Sequence, residues 1–367
     1  MDFYKHAQPN FETAEAVWAK AIEASGSCLR ANAIVEVDAN SSGWVDSGLD
    51  LFEGEEVSLF SAGMVWLAED LGIGVKGDVA LWHRIGAQGH TAKSIGTTTS
   101  FRADKSGRLM LVAKPPGEWL DSTGRFDPAY PRAGAAGALR VAVMIWRGPA
   151  REGLARLSAS DASGSAAREI ARLDARTPLP PGWRHMWLIG ETEIFRAETG
   201  GAEPARICCR TAHNTGILQF PVNVALDRST RLSWAWRADQ LPSKLREDVL
   251  TNHDHLSIAV EFDNGRNLAY MWSAALPEGK VFQCPLPWWN KRQTYQVVRS
   301  DRAKLGQWLE EEQSLLDDYE RAITGAPPKK IAAIWLIAAS AFQKGEGHGC
   351  YARIRLRSDK DEVFIGP

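Results

Sequence analysis

Short runs of residues with a strand-like pattern recur along most of the chain, and this recurrence restricts the fold more than any other feature. In LSIAVEFD (256–263), large apolar residues occupy every second position. Successive side chains of a strand point to opposite faces, so this pattern predicts one face in a core and one outside it. YARIRLRS (351–358) alternates in the same way, and glycine or proline separates many of the runs. Short strands with such punctuation are typical of all-β folds.

The 367 residues divide into four segments by composition. Strand-like runs fill 31–148 and 181–367, whereas 149–180 is rich in alanine, serine and arginine and runs into two adjacent prolines. We therefore predict a mainly all-β protein with two β-sandwich or jelly-roll domains, joined by a linker at 149–180. Residues 1–30 are predicted to be an N-terminal helical segment, because FETAEAVWAKAIEA (11–24) has an apolar stripe at helical spacing.

A second amphipathic helix is predicted inside the last domain. LGQWLEEEQSLLDDYERAI (305–323) places its leucines and aromatic residues on one face and its acidic residues on the other. Serine and aspartate ahead of this segment supply capping chemistry, and Gly325, with two prolines shortly after it, ends the pattern.

The balance of charge and hydrophobicity excludes two classes of partner. The chain has 43 lysines and arginines against 45 aspartates and glutamates, for a formal net charge of −2. Nucleic-acid binders usually carry a basic stripe, and none is present, so we expect no nucleic-acid partner. The longest apolar run, 331–342, is too short to cross a bilayer, so we expect no membrane partner.

Cysteine usage and the N-terminal sequence predict a reduced, cytoplasmic protein. The five cysteines form no C-x-x-C pair and are odd in number, so we expect neither a disulfide framework nor a zinc ribbon. The first residues contain no apolar signal-peptide core. Since dinucleotide, P-loop and H-E-x-x-H motifs are also absent from the sequence, we expect no cofactor and no metal.

Residues 41–67 resemble the opening of the bacterial galactose-binding lectin domain of the PA-IL type, and the resemblance continues more weakly to about 148. The positions that carry it are Trp44, Asp46, Ser47, Gly48, Gly54, Glu55, Ser61 and Gly63. The resemblance implies a small β-sandwich whose relatives bind sugar through a calcium ion held by a late acidic loop. The comparable loop offers Asp121, Thr123 and Asp127, and calcium prefers six to eight oxygens, so a structural sandwich without calcium is favoured.

The region 183–358 resembles a bacterial domain family of unknown function with an L-S-W-x-W-R signature. LSWAWRAD (232–239) carries that signature, and EFDNGRNLAYMWS (261–273) supplies the F-D and Y-x-W-S elements that follow it. The resemblance implies no established activity. The chain departs from the family at TNHDH (251–255), where members tend to carry a paired-aspartate segment.

Tryptophan is unusually abundant, with 15 residues against 6 tyrosines. On alternating strands, Trp234 and Trp236 share one face, and so do Tyr270 and Trp272. If this face is core, the four rings fill a sandwich and Arg237 marks the open face. If the face is open, the rings form a patch that stacks on a ring-containing ligand, with Arg237 giving direction.

Two further places are candidate ligand contacts. Trp288 and Trp289 are adjacent in a proline-rich loop, so at least one of them is expected on a binding rim or an oligomer contact. Trp82, His83 and Arg84 lie near a glycine-rich turn and are candidates to line a cleft, although an ordinary strand end is the alternative.

The densest polar cluster is NHDH, which ends at His255. Histidine titrates near neutral pH, so His253 and His255 suit acid–base catalysis together with Glu261 and Tyr270. The H-x-H pair is also suited to half of a metal site, and a solvated turn is the third interpretation. A third metal ligand would come from His213, Glu261 or His348.

Taken together, these patterns favour binding of a carbohydrate or another ring-containing small molecule in a tryptophan-lined cleft. One alternative is a cofactor-independent lyase or hydrolase that acts on a phenolic or sugar-derived molecule through the histidine, carboxylate and tyrosine set. The other is a structural or assembly protein, with tryptophan faces buried in a homo-oligomer.

Overall fold

The computed structural model describes residues 11–117, 119–125, 135–199, 204–249, 255–286, 289–300, 302–341, 343 and 345–366, without the side chains of 11–13 and 71. These residues fall into two compact units, Met1–Arg176 with Trp187–Glu191, and Thr177–Met186 with Thr192–Pro367. Each unit contains two β-sheets and few helices, so the predicted all-β fold class is confirmed. None of the helices in the described ranges is long and apolar enough to cross a membrane.

The first unit begins with a helix, continues through nine described strands and ends with two further helices. Its elements are α1 (Phe11–Ala24), β1 (Leu29–Asp38), β2 (Val45–Leu51), β3 (Glu56–Ala68), β4 (Ile73–Val75), α2 (Gly77–Ala80), β5 (Leu81–Ile85), β6 (Ala92–Lys93), β7 (Thr98–Arg102), β8 (Gly107–Ala113), β9 (Ala136–Trp146), α3 (Ala150–Ser158) and α4 (Ser165–Ala175). One sheet has the order β1-β9-β3-β4, with β7 also paired to β3, and the other has the order β2-β8-β5-β6. His83 of β5 stacks on Phe101 of β7 with ring centroids 4.1 Å apart, which joins the two sheets.

Three helices of the first unit share one buried cluster with its larger sheet. Trp18 of α1 lies edge-on to Phe60 of β3, at 6.4 Å between ring centroids, so the apolar stripe of α1 docks on a sheet. Leu154 and Leu157 of α3 belong to the same cluster, as does Ala166 of α4. The segment 149–180, predicted to be a linker with some helical character, contains the two packed helices α3 and α4. The leucines of α3 and the large apolar residues of α4 lie on the sides of these helices that pack against the cluster, which a count of composition does not show.

The second unit contains thirteen described strands and one helix of more than one turn. Its elements are β10 (Arg184–His185), β11 (Phe195–Glu198), β12 (Arg206–Ala212), β13 (Thr215–Ala225), β14 (Arg231–Gln240), β15 (Leu256–Phe262), β16 (Asn267–Trp272), β17 (Val281–Gln283), β18 (Gln293–Arg299), β19 (Leu309–Ser314), α5 (Leu315–Ala322), β20 (Lys330–Ala339), β21 (Glu346–Arg357) and β22 (Glu362–Ile365).

These strands form a sandwich of two sheets. The seven-stranded sheet has the order β10-β13-β20-β15-β16-β18-β17, and the six-stranded sheet has the order β11-β12-β21-β14-β19, with β22 also paired to β21. The pair β16 and β18 is parallel, whereas the other described pairs are antiparallel. Strands β20 and β21 lie in the interior of their sheets, although they are among the last in the chain. The buried core contains large apolar side chains from both sheets, so the inner faces pack against each other.

The prediction of an amphipathic helix at 305–323 is wrong for the first half of that segment. Residues 309–314 form β19, which pairs antiparallel with β14, and only Leu315–Ala322 is helical. In LEEEQS, the carboxylate of Glu311 points to the inner face while Glu310 and Glu312 are exposed, so the segment follows a period of two. The acidic run resembles the solvated side of a helix, and pairing with an open strand edge overrides that local preference.

The expectation of a fully reduced protein is also wrong for the structure. Cys208 of β12 and Cys350 of β21 are direct partners in the ladder, and they form a disulfide. The two cysteines lie 142 residues apart in sequence. Adjacent strands bring them together, which no local spacing rule detects. Cys28, Cys209 and Cys284 lie outside this disulfide.

Candidate functional site on the six-stranded sheet

The aromatic face of β14 is the core of the second unit. Trp234, Trp236, Tyr270 and Trp272 are each no more than 1% exposed. Trp234 stacks on Tyr270 with ring centroids 5.5 Å apart, and Trp236 lies 5.6 Å from Trp272. The open patch of four rings expected in one interpretation of the sequence is therefore not formed. These residues hold the two sheets together, because the inner faces of a sandwich meet through such large side chains.

The polar atoms of two of these core rings, Tyr270 and Trp236, find partners at the rim of the core. The hydroxyl of Tyr270 donates to Oδ2 of Asp318 at 2.9 Å, and the indole of Trp236 donates to Oε1 of Glu311 at 3.1 Å. Burial, followed by the nearby charge of Asp318, raises the pKa of Tyr270 well above its usual value. Tyr270 therefore stays protonated and acts as a hydrogen-bond donor to Asp318.

The face of β14 opposite the tryptophans carries a groove, which we call the outer groove. It has a volume of about 360 Å³ and is lined by Ser233, Trp234, Ala235, Glu310, Glu311, Glu312, Arg353 and Arg355. Ser233 and Ala235 of β14 form its floor because they alternate with the buried tryptophans. Their small side chains leave room that larger residues would fill. The structure thus agrees with the interpretation in which the tryptophan face of β14 is core and the small residues mark its exposed face.

A bulge in β21 shapes one wall of the outer groove. Ser233 is paired with Arg355 and Ala235 with Ala352, so β21 has one more residue than β14 between these pairs. Arg353 lies in this bulge with φ 54°, a left-handed conformation that residues other than glycine rarely adopt. Bulges re-aim side chains, and strained backbone clusters at functional sites. The bulge therefore supports the outer groove as a candidate binding site.

Charges in the outer groove are paired across it. Arg353 forms an ion pair with Glu310, and Arg357 donates to Glu312 at 2.7 Å. All four side chains are about half exposed or more, so each pair contributes little to stability. They are available to a ligand, because exposed ion pairs exchange partners at low cost. The groove thus offers carboxylate acceptors and guanidinium donors side by side.

A second polar cluster lies on the same sheet, at the other end of β14. Arg237 and Asp239 of β14 form an ion pair at 2.9 Å, and Nδ1 of His348 lies 3.2 Å from Oδ2 of Asp239. Arg237 also lies over the ring of Trp308, 5.3 Å from its centroid. Cys350, two residues after His348, is the ladder partner of Arg237. We call Asp239, His348 and the disulfide the Asp–His–Cys cluster.

The residues expected to act as an acid–base set do not converge. His255 precedes β15 and Glu261 lies near its other end, so six residues of extended strand, about 20 Å, separate them. Glu261 accepts hydrogen bonds from Gln219 at 2.7 Å and from the indole of Trp335 at 3.0 Å. Tyr270 is in the core. His253 lies outside the described residues, so its expected role stays a prediction.

His255 is a buried neutral histidine. Its side chain is 3% exposed, Nδ1 lies 3.3 Å from the carbonyl oxygen of Ala339, and burial lowers its pKa to about 4. The ring lies against Gly347, where an added Cβ would come within 2.0 Å of its Cε1. A histidine with so low a pKa is uncharged at neutral pH and has no open face for a substrate.

The candidates in the first unit are mostly buried. Trp82 donates to the carbonyl of Lys114 at 3.0 Å and is fully buried, and His83 is buried against Phe101. Burial lowers the pKa of His83 to about 4. Arg84 is partly exposed and lies over the ring of Trp44, 4.4 Å from its centroid. The three residues are consecutive on β5 and do not line one cleft together.

The remaining candidates are divided between core and undescribed residues. Trp289 is 5% exposed and contacts Trp335 edge-on at 6.4 Å, whereas Trp288 lies outside the described residues. In the loop compared with the lectin calcium site, one carboxylate oxygen of Asp121 accepts from Thr123 and the other from Arg125. These bonds hold the pKa of Asp121 well below its usual value. Asp127 lies outside the described residues.

Sequence reasoning missed most of the outer groove. Glu310 and Glu312 were assigned to a helix, and Arg353 and Arg355 were not singled out. Part of a signal was present, because YARIRLRS alternates with arginine on its outward positions, whereas LEEEQS has three consecutive glutamates and offers only a charge opposite to that of the arginines.

Comparisons with known proteins agree with the family resemblance of the second unit. Residues 182–355 match the model of a family described as "Protein of unknown function (DUF3047)". Comparison with curated proteins gives no match. The chain is similar to the solved EclA N-terminal domain, a PllA-like lectin, at 16% identity and a TM-score of 0.25, over 30% of this chain and 94% of that one. It is also similar to the xyloglucanase domain of NopAA from Sinorhizobium fredii in complex with cellobiose, at 8% identity and a TM-score of 0.30. This match covers 50% of this chain and 95% of that one.

Proposed function

We propose that the second unit binds a neutral saccharide or another polyhydroxylated small molecule in the outer groove. The observation that carries the proposal is the lining itself. Ser233 forms the floor, Glu310 and Glu312 stand on one side, and Arg353 and Arg355 stand on the other. A volume of about 360 Å³ lies within the range of small-molecule pockets.

The charge of the groove favours a neutral ligand over an ion. Glu310 is paired with Arg353, Glu312 with Arg357 and Arg355 with Glu362, and Glu311 is already bound by Arg299. A sugar hydroxyl donates one hydrogen bond and accepts others, so it uses a carboxylate and a guanidinium at once. Hydrogen bonds to charged groups are about twice as strong as neutral ones, which suits a ligand rich in hydroxyls.

Stacking contributes little to this mode of binding. Trp234 lies under the groove but is 1% exposed, so its ring face is not presented to a ligand. The proposal therefore differs from a tryptophan platform, and it predicts that hydroxyl count matters more than aromatic character. The lyase or hydrolase alternative lacks an assembled acid–base set among the described residues.

The test is a ligand-observed NMR screen of neutral mono- and disaccharides beside lignin-type phenolics. Ser233→Trp fills the groove floor, and Ser27→Trp, at an exposed position of the first unit, is its matched control. We expect saccharide signals with the wild type and with Ser27→Trp, and their loss with Ser233→Trp. Hits that persist in Ser233→Trp, or hits confined to phenolics, would overturn the proposal.

A further inference from the structure

The Asp–His–Cys cluster brings metal-binding side chains from three strands to one point. Sγ of Cys350, a ring nitrogen of His348 and a carboxylate oxygen of Asp239 all lie within 4.8 Å of one another. Cys208 is bonded to Cys350 from the neighbouring strand and so adds a second sulfur. In the oxidised form both sulfurs are held in the disulfide, and a disulfide sulfur is a poor metal ligand, since the thiolate is the binding species.

We infer that Cys208, Cys350, His348 and Asp239 form a four-ligand site for a zinc-type divalent metal when the disulfide is reduced. Two thiolates, one imidazole and one carboxylate are a set that zinc accepts in tetrahedral geometry. Ligand bonds of about 2.0 to 2.3 Å place donor atoms around one zinc about 3.3 to 3.8 Å apart. The donor atoms of Cys350, His348 and Asp239 lie within 4.8 Å of one another and need only side-chain adjustment to reach that range, and Cys208 joins them once the S–S bond has opened. The site is independent of the outer groove.

Redox state and metal binding are linked by a balanced pair of steps. A dithiol reductant gives two electrons and two protons to the Cys208–Cys350 bond, the S–S bond breaks, and the reductant becomes a disulfide. The metal then replaces the two thiol protons, which pass to water, and bonds to both thiolates. Because the cysteines are direct ladder partners, the strands keep the two sulfurs adjacent after reduction.

Neighbouring arginines offset the charge of the loaded site. Two thiolates and one carboxylate carry three negative charges, and a divalent metal neutralises two. Arg237 pairs with Asp239 at 2.9 Å, and Arg210 is the ladder partner of His348. These guanidinium groups balance the remaining negative charge, and cations close to a thiol favour its ionised form.

Access to the site comes from the histidine and aspartate side. The side chains of His348 and Asp239 are 27% and 24% exposed, whereas Cys208 and Cys350 are 5% and 0% exposed. The metal would therefore enter between imidazole and carboxylate and meet the sulfurs below. Ligands on paired strands are held in place by the ladder, which limits the entropy lost on binding.

The test is an anaerobic titration of the full chain with Co²⁺, before and after reduction by a phosphine. Co²⁺ substitutes for zinc and reports thiolate ligation by a sulfur-to-cobalt charge-transfer band. We expect the reduced protein to bind one equivalent with that band, to release it to Zn²⁺, and the oxidised protein to show no band. His348→Ala and Asp239→Asn change partly exposed side chains, and each should weaken the affinity at least about 10- to 100-fold.

Control variants separate this site from other ligands. His213→Asn alters an exposed histidine outside the cluster, and Cys28→Ser removes the most accessible free thiol. Both should bind Co²⁺ as the wild type does, and circular dichroism should show that all variants are folded. Equal binding before and after reduction, a spectrum without thiolate ligation, or unchanged affinity in His348→Ala and Asp239→Asn would overturn the proposal.

Discussion

Glu311 accepts hydrogen bonds from Arg299 through both carboxylate oxygens, at 2.6 and 2.9 Å, on the inner side of β19. The side chain of Glu311 is 5% exposed and also accepts the indole hydrogen of Trp236. Strand β19 is therefore fixed by a buried carboxylate at the edge of the core, whereas Glu310 and Glu312 on either side face the solvent. Glu311 therefore has a structural role at the base of the outer groove, whereas Glu310 and Glu312 are its solvent-facing carboxylates.

Neutralising Glu311 should destabilise the second unit far more than neutralising its neighbour. Glu311→Gln leaves the guanidinium of Arg299 without its buried partner, at a cost of about 2 to 3 kcal/mol. Glu312→Gln loses only the exposed pair with Arg357 and should cost about 0 to 1 kcal/mol. Urea unfolding followed by tryptophan fluorescence measures both. Equal effects of the two substitutions would show that Glu311 is not held in the core.

Relieving the strained backbone at Arg353 should stabilise the protein and weaken ligand binding. Glycine adopts a φ of 54° without the steric cost of a side chain, so Arg353→Gly should gain about 1 kcal/mol. Arg355→Gly is the matched control, because its extended backbone gains nothing and loses about 0.5 to 1 kcal/mol. Saccharide binding should fall in both variants, since both remove a donor. Loss of stability in Arg353→Gly would contradict the assignment of strain.

Stability should fall in mild acid because His255 is buried and neutral. Its pKa is about 4 in the folded chain and about 6.5 when exposed, so the unfolded chain binds more protons between these values. The stabilisation is complete above about pH 6.5 and is lost progressively as the pH falls to about 4, for a total of about 3 kcal/mol. The measurement is the urea midpoint of the second unit as a function of pH.

His255→Gln should flatten that dependence, whatever its effect on stability at neutral pH. His213→Asn, which changes an exposed histidine, should keep the wild-type slope. His83 of the first unit has the same lowered pKa and adds its own acid sensitivity there, so the second unit needs its own probe. A slope that is identical in wild type and His255→Gln would rule out a buried neutral imidazole at this position.

Reduction of the disulfide should destabilise the second unit in the absence of metal. The bond closes a loop between residues 142 apart, and a cross-link of this kind typically contributes about 2 to 4 kcal/mol by restricting the unfolded chain. The wild type should therefore unfold at lower urea concentration in a phosphine with a chelator. The stability of Cys350→Ala should not change with the reductant, whereas Cys284→Ser, at a buried cysteine outside the disulfide, should respond as the wild type does. A wild type indifferent to reduction would contradict the cross-link.

Strand patterns predicted the class of fold because alternation is a local property. LSIAVEFD and YARIRLRS became β15 and part of β21, and the helical stripe of 11–24 became α1. What alternation left open was which face of LSWAWRAD lies inside. That choice depends on the second sheet, which supplies Tyr270 and Trp272 as partners for Trp234 and Trp236.

The candidate sites were harder to predict because they form between distant strands. The outer groove depends on β14 lying between β19 and β21, and the bulge at Arg353 is set by the register of that pairing. The disulfide likewise joins residues that are neighbours only in the sheet. The arginines at alternating positions of YARIRLRS were the usable signal, whereas the acidic run LEEEQS has no alternation and resembles the solvated side of a helix.

The positions of β20 and β21 have a consequence for synthesis on the ribosome. Strand β20 separates β13 from β15 in one sheet, and β21 separates β12 from β14 in the other. The seven-stranded sheet is not continuous until the chain has been translated to about residue 339, and the six-stranded sheet not until about residue 357. Until then, the strands synthesised earlier have unpaired edges and exposed aromatic residues. Pairing between strands that are far apart in sequence is also slow. A nascent chain of this protein should therefore depend on chaperone protection until its last strands emerge.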